Sequence, residues 1–204
     1  MYQDVFTKLE AGEASAILEK LNPEFDGSVF EPDQTTVLAS DLAFYPGYRL
    51  LDIADYSSVP AFRRFVVYKA GEPYILNWTN EPIYEMNKAV PIKLTKKNVA
   101  DYVRFFFSYV RGRHGRFIVT ENVDDISWKD DPTPAARKAI GKMIVPLSLK
   151  GTARDGTFEL EMSVMFKDGL FRVDVLVAKD GTVSLENEEL LVEDMPVLDD
   201  VFGQ

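Results

Sequence analysis

Phe158-Glu159-Leu160-Glu161-Met162-Ser163-Val164-Met165-Phe166-Lys167-Asp168-Gly169-Leu170-Phe171-Arg172-Val173-Asp174-Val175-Leu176-Val177 decides the fold. Apolar and polar residues alternate along both arms, the signature of half-buried strands. Asp168-Gly169 between them marks a hairpin, because glycine accepts the positive φ that tight turns need. A two-residue loop at Asp168-Gly169 sets Phe166 against Phe171, Val164 against Val173 and Met162 against Val175, all on one face. Asp155-Gly156, read the same way, sets Val145 against Phe166, Leu147 against Val164 and Leu149 against Met162. At Asp180-Gly181 a two-residue loop would oppose Val177 to Ser184. A three-residue loop, Lys179-Asp180-Gly181 with the glycine left-handed, opposes Val177 to Val183 and Val175 to Leu185 instead. The expectation is a four-stranded antiparallel meander with one apolar face.

An apolar face needs a cover. Val99, Tyr102, Val103, Phe106 and Val110 form a stripe at helical spacing, widened by Phe105, Phe107 and Tyr109. Thr95 can cap that helix, and Gly112 or Gly115 can end it. The fold class is therefore α+β, with a central helix over about 96–111 packed on the C-terminal meander. The order, a helix followed by antiparallel strands, is similar in outline only to the NTF2-like and cystatin-like arrangements. Phe117–Thr120 reads as a further strand. Thr133-Pro134 begins a short helix through Lys138.

Upstream, Val5, Phe6, Leu9, Ala14, Ile17, Leu18 and Leu21 predict an N-terminal helix, bent or split near Gly12 and ended by Asn22-Pro23. Between Ser28 and Val90, prolines and glycines separate strand-like runs at Tyr48–Ala54, Phe62–Lys69 and Tyr74–Trp78. Lys69-Ala70-Gly71-Glu72-Pro73 is a hairpin loop, and Thr35–Phe44 fits either strand or helix. Two parts follow: 1–94, a helix plus a smaller antiparallel unit, and 95–204, the helix plus meander. The expectation is that they pack as one compact unit.

The chain has 204 residues, with 23 Lys and Arg against 33 Asp and Glu, a formal charge of −10. That balance disfavours nucleic acid, whose phosphates would be repelled, and permits a basic partner. There is no cysteine and one histidine, so disulfide, zinc-finger and thiol chemistry are excluded and a serine triad could use only His114. No cofactor is implied. No apolar run approaches a membrane span. The first residues lack the charged start and apolar stretch of a secretion signal, so the expected location is the cytoplasm.

Candidate functional residues are few. Arg111-Gly112-Arg113-His114-Gly115-Arg116 gathers three arginines and the only histidine, an anion-binding composition. It equally suits the negative C-terminal end of a helix. His114 could act as a general base oriented by Glu121, Asp124 or Asp125. Tyr74, Trp78, Tyr84 and Trp128 could line a ligand pocket. Glu121-Asn122-Val123-Asp124-Asp125 is rich in oxygen ligands but lacks the graded spacing of a calcium loop, so no metal site is assigned. Met165, Leu170 and Leu176 fall on the outer face of the meander beside Glu159, Glu161, Arg172 and Asp174, where they could join two copies. Arg63 and Arg64 point to opposite faces of their strand. The tail from Glu193 to Gln204 alternates acidic and apolar residues and could dock at home or on a partner.

Three readings of function arise. The first is a non-enzymatic binding or protein-interaction module with an acidic surface, its partner a basic protein or a small apolar or anionic ligand. The second is a small-molecule enzyme on a cone-shaped scaffold, using His114 with nearby carboxylates or arginines. The third is a homodimeric subunit joined through the outer sheet face.

Overall fold

The computed structural model describes residues 5–198. It divides into two compact units. One holds the described residues through Asn77 together with Glu81–Lys93, and the other holds Trp78–Asn80 and the chain from Leu94 onward. The distal tail residues Asp199, Asp200, Val201 and Phe202 lie outside the described residues.

The N-terminal unit is a five-stranded antiparallel sheet whose spatial order follows the chain: β1 (Thr7–Lys8), β2 (Thr35–Asp41), β3 (Arg49–Asp55), β4 (Phe62–Lys69) and β5 (Glu72–Leu76). Helix α1 (Ala11–Leu21) places Ile17, Leu18 and Leu21 against Val37, Ala39, Leu51, Ile53 and Val66, with Phe25 and Phe30 closing the same core. The expected helix thus begins only at Ala11. Thr7 and Lys8 instead pair with Ala39 and Leu38, and the Leu9 N–H donates to the Val37 carbonyl at 3.0 Å, because β2 offers this segment hydrogen bonds an isolated helical turn lacks. Gly12 lies inside α1 rather than splitting it. Of the run Thr35–Phe44, Thr35–Asp41 is strand and Leu42–Phe44 turns toward β3. The β4–β5 turn tightens to Ala70-Gly71, both at positive φ. Helix α2 (Glu81–Ala89) was not expected; Pro82 sits at its second position, where no N–H is needed.

In the C-terminal unit, α3 (Val99–Tyr109) covers a sheet of β6 (Phe117–Thr120), β7 (Ser148–Thr152), β8 (Phe158–Phe166), β9 (Gly169–Val177) and β10 (Val183–Val192). Val99, Tyr102, Val103, Phe105, Phe106, Phe107 and Tyr109 are all buried, so α3 is the central element its composition implies. It is shorter than 96–111. Thr95 and Asn98 bond to each other in a turn ahead of it, and the chain is already extended at Val110. The Tyr102 hydroxyl donates to the Gly181 carbonyl at 2.6 Å. Phe107 meets Phe117 edge-on, and Phe117 stacks on Phe166 at 4.7 Å.

The register differs from expectation in an instructive way. Phe166 opposes Gly169, Val164 opposes Phe171, Met162 opposes Val173 and Leu160 opposes Val175. The loop is Lys167-Asp168, and Lys167 takes the positive φ of 54°. Gly169 enters the strand because a Cβ there would lie 2.7 Å from the Phe171 ring. The slip is two residues, so every side chain keeps its face. Leu149 opposes Leu160 rather than Met162, followed by a bulge before Gly151. Val145 and Leu147 are not strand residues. Their place beside the far half of β8 belongs to β6, with Phe117 against Phe166 and Val119 against Val164.

The turn at Asp180-Gly181 has the three-residue form, with Val177 opposite Val183 and Val175 opposite Leu185. Asp155-Gly156 shares it. Ala153-Arg154-Asp155-Gly156-Thr157 and Ala178-Lys179-Asp180-Gly181-Thr182 are one motif used twice. In each, the Ala N–H donates to the Thr carbonyl, the Gly N–H donates to the Ala carbonyl, and the Asp side chain accepts the Thr N–H at 2.9 Å. Gly181 has φ 82°. Gly181→Ala is expected to lower stability by about 1–2 kcal/mol through left-handed strain, measured as a urea midpoint. Hydrogen bonds from the Thr182 N–H and hydroxyl hold the Asp180 carboxyl below its ordinary 3.8. The stability it lends is therefore present above pH 3.8 and lost as pH falls through its lower folded value. Acid titrations of the parent and Asp180→Ala should converge at the acid end and separate above it.

Helix α4 (Pro134–Met143) runs further than Lys138 and is capped by the Thr133 hydroxyl, which accepts the Ala136 N–H at 3.2 Å. A second small core of Ile126, Ile144, Met165, Leu170 and Met195 forms on the outer face of the sheet, with Trp128, Ile140 and Val197 packed against it. Met195–Leu198 is tied down by the Met195 N–H to the Asp168 carbonyl, the Lys129 N–H to the Pro196 carbonyl and the Leu198 N–H to the Ser127 carbonyl. This part of the tail docks at home. Met165 and Leu170, expected as a mating surface, are buried beneath their own chain.

Candidate functional site

Beyond that core the outer face keeps Leu176, opposite Glu159, and is otherwise mostly charged. Glu161 on β8 lies directly opposite Asp174 on β9, and Asp174 lies opposite Glu186 on β10. Three carboxylates thus occupy one row across three strands, an arrangement that like-charge repulsion disfavours. Glu159 and Glu189 flank the row. Two cations answer them: Lys150 reaches Glu161 at 2.8 Å, and Arg172 pairs with Glu189 while standing 4.0 Å from Glu161. Asn187 donates to Asp174 at 2.8 Å. It sits in a bulge of β10 at φ 50°. Alternation alone placed Glu159, Glu161 and Asp174 on this face; the row became visible only with the register.

The arginine-rich segment forms a tight hairpin. Gly112 and Gly115 make an antiparallel bridge, with Arg113 and His114 exposed at the tip. The carboxylates that could have oriented His114 are engaged elsewhere. Glu121 binds the Arg104 guanidinium with both oxygens at 2.9 and 2.7 Å, Asp124 pairs with Arg137, and Asp125 accepts the Glu121 and Asn122 N–H groups at 2.8 and 3.0 Å. Asn122 and Asp125 close a capping box on the 3-10 turn Val123–Asp125, so this acidic loop is a structural knot. Among the described residues no group of three or more His, Asp or Glu could hold a metal ion.

The four aromatic candidates do not form one group. Trp78 stacks on Tyr109 at 6.5 Å and carries the Arg111 guanidinium 4.1 Å above its ring. Trp128 packs into the outer core beside Met195 and Val197. Tyr74 and Tyr84 belong to the N-terminal unit, Tyr74 tilted against Tyr48 at 6.3 Å and Tyr84 on α2. An open groove of about 640 Å³, unforeseen from sequence, is lined by Lys129, Asp130, Lys167 and Asp168 with Met195–Val197. Its signs are balanced, and its walls come from segments far apart in the chain.

The N-terminal unit holds one anomalous carboxylate. Asp52 lies mid-strand in β3 with its side chain 9% exposed, 3.4 Å from Arg63 on β4. Its Oδ1 has no hydrogen-bond partner. Burial raises its pKa above the ordinary carboxylate value, and the Arg63 charge opposes that rise. Arg64, on the opposite face, lies 4.3 Å over the Phe62 ring.

No family model matches the chain, and no curated protein or solved structure matches it.

Proposed function

We propose that this protein is a non-enzymatic interaction module of the cytoplasm whose acidic sheet face receives a basic protein partner. The observation that carries this reading is the Glu161–Asp174–Glu186 row. A sheet selected only for stability would alternate charges along such a row. Retained repulsion is a cost that a cationic partner would relieve, since complementary charge steers encounter and fixes register. Among the described residues no helix is long and apolar enough to cross a membrane.

The test is a titration of the full chain with a labelled lysine-rich peptide at low and high salt. Glu161→Gln/Glu186→Gln should weaken binding at least about tenfold. Glu19→Gln/Glu24→Gln, which removes equal charge from the N-terminal unit, should leave it unchanged. Equal loss in both variants would reduce the effect to net charge and end the proposal. Glu186→Lys should also stabilise the free protein, by about 0.2–1 kcal/mol at low salt. Its gain in thermal midpoint should shrink as salt is raised.

A further inference from the structure

The arginine hairpin poses the opposite electrostatic problem, and its argument is independent of the acidic face. Carboxylates outnumber cations by 33 to 23 in this chain. Arg49, Arg63, Arg104, Arg137 and Arg172 each sit on a carboxylate. Arg113, His114 and Arg116 make no ion pair among the described residues. The Arg116 Nε is buried without a hydrogen-bond partner. The bridge between Gly112 and Gly115 places Arg111 and Arg116 on the two arms of one turn.

The hairpin is also firmly seated. A Cβ on Gly112 would fall 2.8 Å from the Phe117 ring, and one on Gly115 would fall 3.2 Å from the Phe166 ring. The two glycines let the backbone lie flat on that stacked pair. The Arg111 N–H donates to the Trp78 carbonyl at 2.8 Å, and its guanidinium covers the Trp78 ring. A turn anchored on both arms loses little conformational freedom when a ligand arrives.

We infer that the hairpin Arg111–Arg116 is a binding site for a small phosphate-bearing anion, held by the Arg113 and Arg116 guanidinium groups and the His114 ring. Guanidinium forks donate in pairs to phosphate oxygens. Two forks and an imidazole offer more donors than a single carboxylate accepts, whereas a multiply charged phosphate takes them all. The donors are side chains on a turn, so the site owes nothing to a helix N-terminus.

Calorimetric titration of the full chain with inorganic pyrophosphate, and separately with a nucleoside diphosphate, tests this. One saturable site per chain is expected. Arg113→Gln alone, and Arg113→Gln/Arg116→Gln together, should weaken it progressively, the double variant by at least about tenfold. Lys138→Gln/Lys142→Gln on α4 removes the same charge from exposed positions and should leave affinity unchanged. Equal affinity for the two ligands would identify the phosphates alone as the recognised chemistry; tighter nucleotide binding would add a contact to the nucleoside. Absence of saturable binding with both, or equal loss in the α4 control, would overturn the assignment. Arg113 is exposed at the tip, so its single variant reads out binding even if the double variant is poorly folded.

Discussion

Tyr102→Ala is expected to destabilise the C-terminal unit by about 3–5 kcal/mol, the range for deleting a fully buried aromatic side chain. Tyr102 has no exposed surface. Its ring lies 6.4 Å from Phe105 and 6.3 Å from Phe106, so truncation opens a cavity among the buried rings of α3. Its hydroxyl is also the donor to Gly181, which ties the helix to the β9–β10 turn. Tyr102→Phe isolates that second contribution. It keeps the ring and leaves a buried carbonyl without its donor, costing about 1–3 kcal/mol. Both tryptophans of the chain, Trp78 and Trp128, belong to this unit. Tryptophan fluorescence in a urea titration therefore follows its unfolding selectively. A Tyr102→Ala midpoint equal to that of the parent would mean that α3 does not hold the sheet together.

Much of the C-terminal unit was legible because short-range chemistry and long-range burial agree there. The alternation in β8 and β9 assigns faces, and faces survive a two-residue slip. Register did not survive, because Asp-Gly was assumed to occupy the loop. The glycine was needed instead one step into the strand, where the Phe171 ring leaves no room for a Cβ. That constraint is tertiary and leaves no mark on local spacing. The twin Ala-(Arg/Lys)-Asp-Gly-Thr turns carried a usable signal: the same five-residue pattern should have given Asp155-Gly156 the three-residue loop already required at Asp180-Gly181. The placement of β6 beside β8 was out of reach, since nothing near Phe117 names Phe166 and its strand, far along the chain, as a partner. Among candidate sites, the arginine hairpin was evident from composition. The acidic row needed the register of three strands before its residues could be seen as neighbours. Asp52, between Leu51 and Ile53 in an apolar run, was not singled out from the sequence, although the apolar residues on both sides of it were a usable signal of burial.

That carboxylate supports the second large prediction, which has opposite signs for its two partners. Asp52→Leu is expected to stabilise the N-terminal unit by about 1–4 kcal/mol, because replacing a poorly satisfied buried ion with an apolar group of similar size removes a desolvation cost. Arg63→Ala is expected to destabilise it, because the carboxylate stays buried and loses the charge partner it has among the described residues. The loss should fall below the roughly 3–5 kcal/mol seen when a fully buried pair is broken. The Arg63 side chain is 44% exposed, so water screens part of its contribution. The pH dependence follows from the raised pKa. Above the unfolded value of 3.8, the folded unit binds a proton that the unfolded chain has released. Asp52 therefore makes the unit progressively less stable as pH rises from 3.8 toward its folded value, and the penalty is constant above that. Asp52→Asn should abolish this slope, while Arg63→Ala should extend it to higher pH by removing the charge that holds the folded value down. Circular dichroism melts across mildly acidic pH measure both. If Asp52→Leu were destabilising at neutral pH, the ion pair would be contributing net stability, and the desolvation argument for Asp52 would fail.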